Sequence, residues 1–202
     1  MKAFKTVVLM LLAVTLGSFF APLSYASEIA PAPEIVEVKK NDKMVALENE
    51  LQSIQYKVAI NSRSVSQQQE VVENLLLKYD GAEAVYTTKS GNGWTDKVVS
   101  GGLNCFATSK TGLANLRDIM GANALGFRLN GAAYGALIGG PMGAVVGVIG
   151  ASLLATRLDQ GQATISSWIR AGSSKGGARM TVTAQFPISS INSITESAIK
   201  KL

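Results

Sequence analysis

From Asn41 the chain repeats apolar residues seven apart, at Met44, Leu51, Val58, Val65, Val72 and Tyr79. Leu47, Ile54 and Leu75 fall three residues after members of that series, with Asn61 and Gln68 as polar exceptions. Such spacing winds the apolar side chains onto one seam of a helix. The seam expected here comprises Met44, Leu47, Leu51, Ile54, Val58, Val72 and Leu75. It predicts either one long coiled-coil helix over 41–80 or two helices broken around Asn61 to Ser64, where Asn and Ser side chains compete for backbone hydrogen bonds. A plain amphipathic helix packed on the rest of the same chain fits the pattern as well. Asp80-Gly81 predicts the stop.

A second pattern runs from Leu129 to Thr156, which holds no charged side chain. Gly131, Gly135, Gly139, Gly143 and Gly147 recur at every fourth position. Residues four apart stack on nearly one helix face, so these glycines predict a shallow groove into which a second helix backbone can settle. Leucine, isoleucine and valine fill the intervening positions, unlike the polar residues of a flexible linker. As one straight helix the stretch would run about 42 Å, against a hydrocarbon core of ~30 Å. Gly139-Gly140-Pro141 lies in its middle, which leaves a kinked span and a hairpin of two short helices both open. Its nine Leu, Ile and Val residues supply only about −3 to −5 kcal/mol of insertion free energy. The span is therefore marginal. Arg128 and Arg157 bracket it, and with Trp168 they are the expected membrane-interface residues.

The remaining segments give weaker patterns. Residues 1–26 read as a secretory signal, with Lys2 and Lys5, an apolar run from Val7 to Leu16 and small residues around Ala26. Residues 27–40 begin with Ala30-Pro31-Ala32-Pro33 and read as a disordered spacer. Residues 81–128 form a mixed, Gly-rich region, with a short strand at Ala84 to Thr88, a turn at Lys89 to Gly93 and helical spacing from Gly112 to Met120. Residues 157–202 are basic. There Met180, Val182, Ala184 and Phe186 alternate as a strand, and the last fifteen residues place Ile188, Ile191, Ile194, Ile199 and Leu202 on one face of an amphipathic C-terminal helix. The expected fold is mainly α: a heptad helix or helical hairpin, a glycine-zipper helix or hairpin over 129–156, a short β element and the terminal helix.

Charge divides the chain. Ser27 to Asp80 carries nine acidic and six basic residues, whereas Gly81 to Leu202 carries five acidic and eleven basic. An acidic leading region beside a cationic trailing one suits a chain whose second half meets anionic lipid. The basic residues of 81–202 are scattered rather than clustered, which argues against nucleic acid. There is no histidine, and Cys105 is the only cysteine, so an internal disulfide framework is excluded. Ser-Lys, cysteine and paired carboxylates appear in no recognisable catalytic arrangement, and no metal-ligand spacing or phosphate loop is seen, so neither catalysis nor a cofactor is expected.

The wording GAAYGALIGGPMGAVVGVIGA, from Gly131, resembles the glycine-zipper segments of bacteriocin-like, pore-forming antimicrobial peptides, and is similar also to glycine-zipper proteins of bacterial outer envelopes. Lys89 to Trp94 resembles the Tyr-Gly-Asn-Gly-Val box of pediocin-like bacteriocins without its tyrosine, valine and paired cysteines, and Gly101-Gly102 resembles a double-glycine processing site. The resemblance covers about a seventh of the chain. It implies a secreted bacteriocin-like precursor, in which 41–80 is an acidic pro-region and the cationic zipper region oligomerises in and permeabilises target membranes, with an immunity protein as a further partner. The envelope resemblance implies instead a non-toxic scaffold or anchor. Either protein would leave the cytoplasm, as a secreted or an envelope-associated chain.

Overall fold

A computed structural model describes residues 31–61, 64–130, 151–197 and 199. The described chain is α+β rather than mainly α. Its strands are β1 (Ile35–Lys40), β2 (Glu83–Thr88), β3 (Thr95–Val99), β4 (Gly102–Ala107), β5 (Gly176–Met180) and β6 (Gln185–Ile188). Helices α1 (Asp42–Asn61) and α2 (Val65–Lys78) lie between β1 and β2, and α3 (Lys110–Asn130) and α4 (Ala151–Arg170) between β4 and β5. The six strands form one sheet in sequential order, each antiparallel to the next.

Local chemistry sets the element ends. The Asn41 side-chain oxygen accepts from the Met44 amide at 2.9 Å and from the Glu83 amide at 3.1 Å, so one side chain caps α1 and ties it to the start of β2. Ser64 and Gln67 form a reciprocal capping box that starts α2. Ser109 caps α3 by accepting from the Gly112 amide at 3.0 Å.

All four helices pack on one face of the sheet. Register puts Ala84, Asp96, Cys105 and Ala178 side by side on that face, with Val98, Leu103 and Met180 in the adjoining row. Met44, Leu47, Leu51, Val72, Leu75, Leu113, Leu116, Leu158, Ile165 and Trp168 close over these strand residues. The predicted seam is thus core. Met44, Leu47, Leu51, Val72 and Leu75 are buried and Ile54 packs half-buried beside them, so they face the chain's own sheet and not a coiled-coil partner; the side chain of Val58 lies outside the described residues.

Three further expectations change. Ile35–Lys40, placed in the spacer, forms β1, because its alternation of apolar and charged residues suits a strand beside β2. The strand expected over Met180 to Phe186 is instead mostly the turn of a hairpin, since β5 ends at Met180 and β6 begins at Gln185. The terminal amphipathic helix is absent from the described residues: 189–197 run in turns and bends across the other face of the sheet. There the Asn104 side chain donates to the carbonyls of Ile191 at 2.5 Å and Ser193 at 2.8 Å. Helical periodicity in this tail is overridden by a buried amide that needs backbone acceptors.

Candidate functional site

The feature with most functional content is the helix pair α3–α4, because it carries residues 131–150 between its ends. Leu113, Leu116, Met120 and Ala124 give α3 one buried stripe, and Leu154, Leu158, Ile165 and Trp168 give α4 another. The two helices run antiparallel and close together. A Cβ at Gly161 would lie 2.8 Å from the Met120 sulfur, and one at Gly121 would lie 2.4 Å from the end of the Gln162 side chain, so a larger residue at either position would have to displace only that flexible side-chain end. Nearer the segment, Arg128 of α3 forms an ion pair with Asp159 of α4. Gly131, Gly135, Gly139, Gly143 and Gly147 lie outside the described residues. No helix among the described residues is long and apolar enough to cross a membrane.

The flanking residues serve the fold. Arg128 is engaged by Asp159. Arg157 donates to the Thr183 carbonyl and, at 2.9 Å, to Gln160. Trp168, expected at a lipid interface, is fully buried; its indole N–H donates to the Gly177 carbonyl at 2.9 Å, and its ring lies against Gly176. The bulk and single polar atom that suit tryptophan to a headgroup layer also suit it to a core with one free carbonyl.

An open groove of about 560 Å³ runs beside α4 and β6, lined by Arg157, Thr164, Ser167, Arg170 and Gln185 among others. Its two arginines stand thirteen residues apart on one helix, about 20 Å along the axis. They do not converge on one small anion.

Lys89 to Gly93 joins β2 to β3, and Asn115 of α3 holds it by donating to Thr88 Oγ1 at 3.0 Å and to the Asn92 carbonyl at 2.5 Å. Gly101-Gly102 turns β3 into β4. Arg179 braces this turn, donating to the Val99 carbonyl at 2.7 Å, the Ser100 carbonyl at 3.0 Å and Asn104 Oδ1 at 3.0 Å. Gly102 is buried against its guanidinium. Both segments that resembled bacteriocin signals are therefore built into the sheet.

One buried group gave no sequence signal. Asp96 lies on the helix-covered face opposite Cys105, fully buried, with Oδ1 lacking a hydrogen-bond partner. Burial raises its carboxyl from the ordinary 3.8 to about 6, and the nearby Cys105, Tyr86 and Trp94 side chains oppose that rise. Burial, and then the neighbouring Asp96 charge, push the Cys105 thiol well up, which makes it a poor nucleophile. Among the described residues no cluster of His, Cys, Asp and Glu could hold a metal ion.

Asp96 makes stability depend on pH. The folded chain holds this proton more tightly than the unfolded chain, so the destabilisation is absent below about pH 4, grows as pH rises through about 6 and is complete above it. A shift of this size corresponds to about 3 kcal/mol. Asp96→Asn is therefore expected to unfold at higher urea than the original at pH 8 and to match it near pH 4. Equal urea midpoints at pH 8 would show that the buried charge is not penalised.

No protein-family model, curated protein or solved structure matches this chain.

Proposed function

We propose that the chain is an exported bacterial cell-envelope protein whose α+β domain holds the uncharged glycine repeat at the end of the α3–α4 pair. There the repeat packs against lipid-embedded helices, those of other copies first among them, as a scaffold or anchor on anionic membrane. Export rests on the secretory pattern of residues 1–26, and lipid packing on the four-residue spacing of Gly131, Gly135, Gly139, Gly143 and Gly147 in the sequence.

The observation that carries this reading over a lytic precursor is the place of the acidic helices. Met44, Leu47, Leu51, Val72, Leu75 and Leu76 of α1 and α2 are core residues of the same domain as α3 and α4. A cationic fragment released near Gly81 would leave them behind and bare the sheet face they cover. An anchored protein keeps them, and needs no immunity partner.

Flotation of the full chain with vesicles rich in anionic lipid tests the proposal, with a trapped dye reporting leakage in the same sample. The chain is expected to rise with the vesicles and to release no dye at micromolar concentration. Replacing Gly135, Gly139 and Gly143 by leucine is expected to keep vesicle binding and remove association between copies in the bilayer. A chain that stays at the bottom of the gradient refutes the anchor, and dye release at that concentration restores the antimicrobial reading.

A further inference from the structure

Among the described residues strand β1 stands at the edge of the sheet, and three of its six residues are apolar. Ile35, Val36 and Val38 are 38%, 57% and 40% exposed. An exposed strand edge offers unpaired N–H and C=O groups to any passing strand, so a chain that keeps apolar residues there has a partner or an aggregation hazard. The alternation of hydrogen bonds decides which groups are free. The Asn41 amide donates to the Glu83 carbonyl at 3.0 Å, whereas the Tyr86 amide donates to the Trp94 carbonyl at 2.8 Å, away from β1. The odd-numbered residues of β2 therefore face β1, and their register partners Glu37 and Lys39 use their backbone groups on β2. Val38 and Lys40 point theirs outward.

We propose that two copies of this chain join edge to edge through β1, antiparallel, with a two-fold axis at Val38. In that register Val38 and the partner's Val38 exchange both backbone hydrogen bonds, the narrow pairing their outward groups allow. One step away on each side, Glu37 stands opposite the partner's Lys39, in the wide pairing where side chains come closest. Glu37 and Lys39 already lie on one face of the strand, 3.5 Å apart, with exposed side chains. The dimer makes them a square of alternating charge. A one-residue slip would break the hydrogen-bond alternation, and a parallel arrangement would set like charges together, so the sequence Ile-Val-Glu-Val-Lys-Lys selects one register. Val38 points to the helix-covered side of the sheet, where Val45 at the start of α1 is 44% exposed and adds apolar surface. The contact is independent of residues 131–150.

Sedimentation of the full chain without lipid, at concentrations up to about 100 μM, tests this. The original chain is expected to dimerise. Glu37→Lys sets lysine against the partner's Lys39 twice and should weaken the dimer at least about tenfold. Glu37→Lys with Lys39→Glu restores opposite charges and should return association to within about threefold of the original. Both side chains are exposed, so circular dichroism of each variant is expected to be unchanged. A chain that stays monomeric, a Glu37→Lys variant that dimerises as the original does, or a double exchange that fails to restore pairing overturns the edge dimer. Loss of association on replacing Gly135, Gly139 and Gly143, with no response to the charge exchange, assigns self-association to the glycine repeat and equally overturns it.

Discussion

A chain shortened to begin at Gly81 is expected to lose its cooperative unfolding transition. The truncation removes Met44, Leu47, Leu51, Val72, Leu75 and Leu76, all buried. At roughly 1.5–3 kcal/mol for each buried side chain of this size, their loss matches or exceeds the roughly 5–15 kcal/mol that holds a typical domain together. It also bares Ala84 and Val98, which lie on the face covered by α1 and α2. Urea unfolding followed by circular dichroism distinguishes the outcomes. A broad, sloping curve is expected, and a sharp transition with the slope of the full chain would show that residues 81–202 fold alone and that a released fragment is physically sound.

Trp168→Ala is expected to cost about 3–5 kcal/mol, the range for emptying a large aromatic site. Trp168 fills the space between α4 and the Gly176 backbone, and truncation also strands the Gly177 carbonyl that its indole satisfies. Trp168→Phe keeps most of the bulk and loses the hydrogen bond, so it should fall between the two. The readout is the urea midpoint at constant slope. If Trp168→Ala left the midpoint unchanged, the side chain would not be core, and an interfacial role would regain its footing.

The helices over 41–80 were legible because their signals are local, whereas α4 (Ala151–Arg170) was not, its start having been assigned to the glycine repeat and Trp168 to a lipid interface. The seam from Met44 to Leu75 identified residues that are core, the break near Asn61 to Ser64 fell where α1 gives way to α2, and Asp80-Gly81 fell just beyond α2. What the seam faces was not legible, since a heptad records which side of a helix is apolar and not whether the partner is another helix or a sheet. The sheet was underestimated for a related reason. Gly102–Ala107 and Gly176–Met180 are buried on both faces, so they lack the alternation that marks a half-exposed strand, and glycine and arginine within them read as loop.

The site was legible only in part. The uncharged repeat stands out by composition, but Gly121 and Gly161, where α3 and α4 meet the Gln162 and Met120 side chains, fall outside its four-residue period. Arg128, Arg157 and Trp168 suggested lipid because a basic flank and an indole look the same in sequence whether they meet headgroups or a carbonyl. Asp96 gave no signal, since a lone aspartate in a strand is ordinary until its neighbours across the sheet are known.

The packing of Met120, Gly121, Gly161 and Gln162, with the Arg128–Asp159 pair beyond it, settles the helix pair before residue 131 is reached. These contacts all lie outside the segment that connects Asn130 to Ala151. Changes within those twenty positions leave these contacts in place, so the domain's urea midpoint is expected to survive replacement of the repeat by a polar loop of equal length.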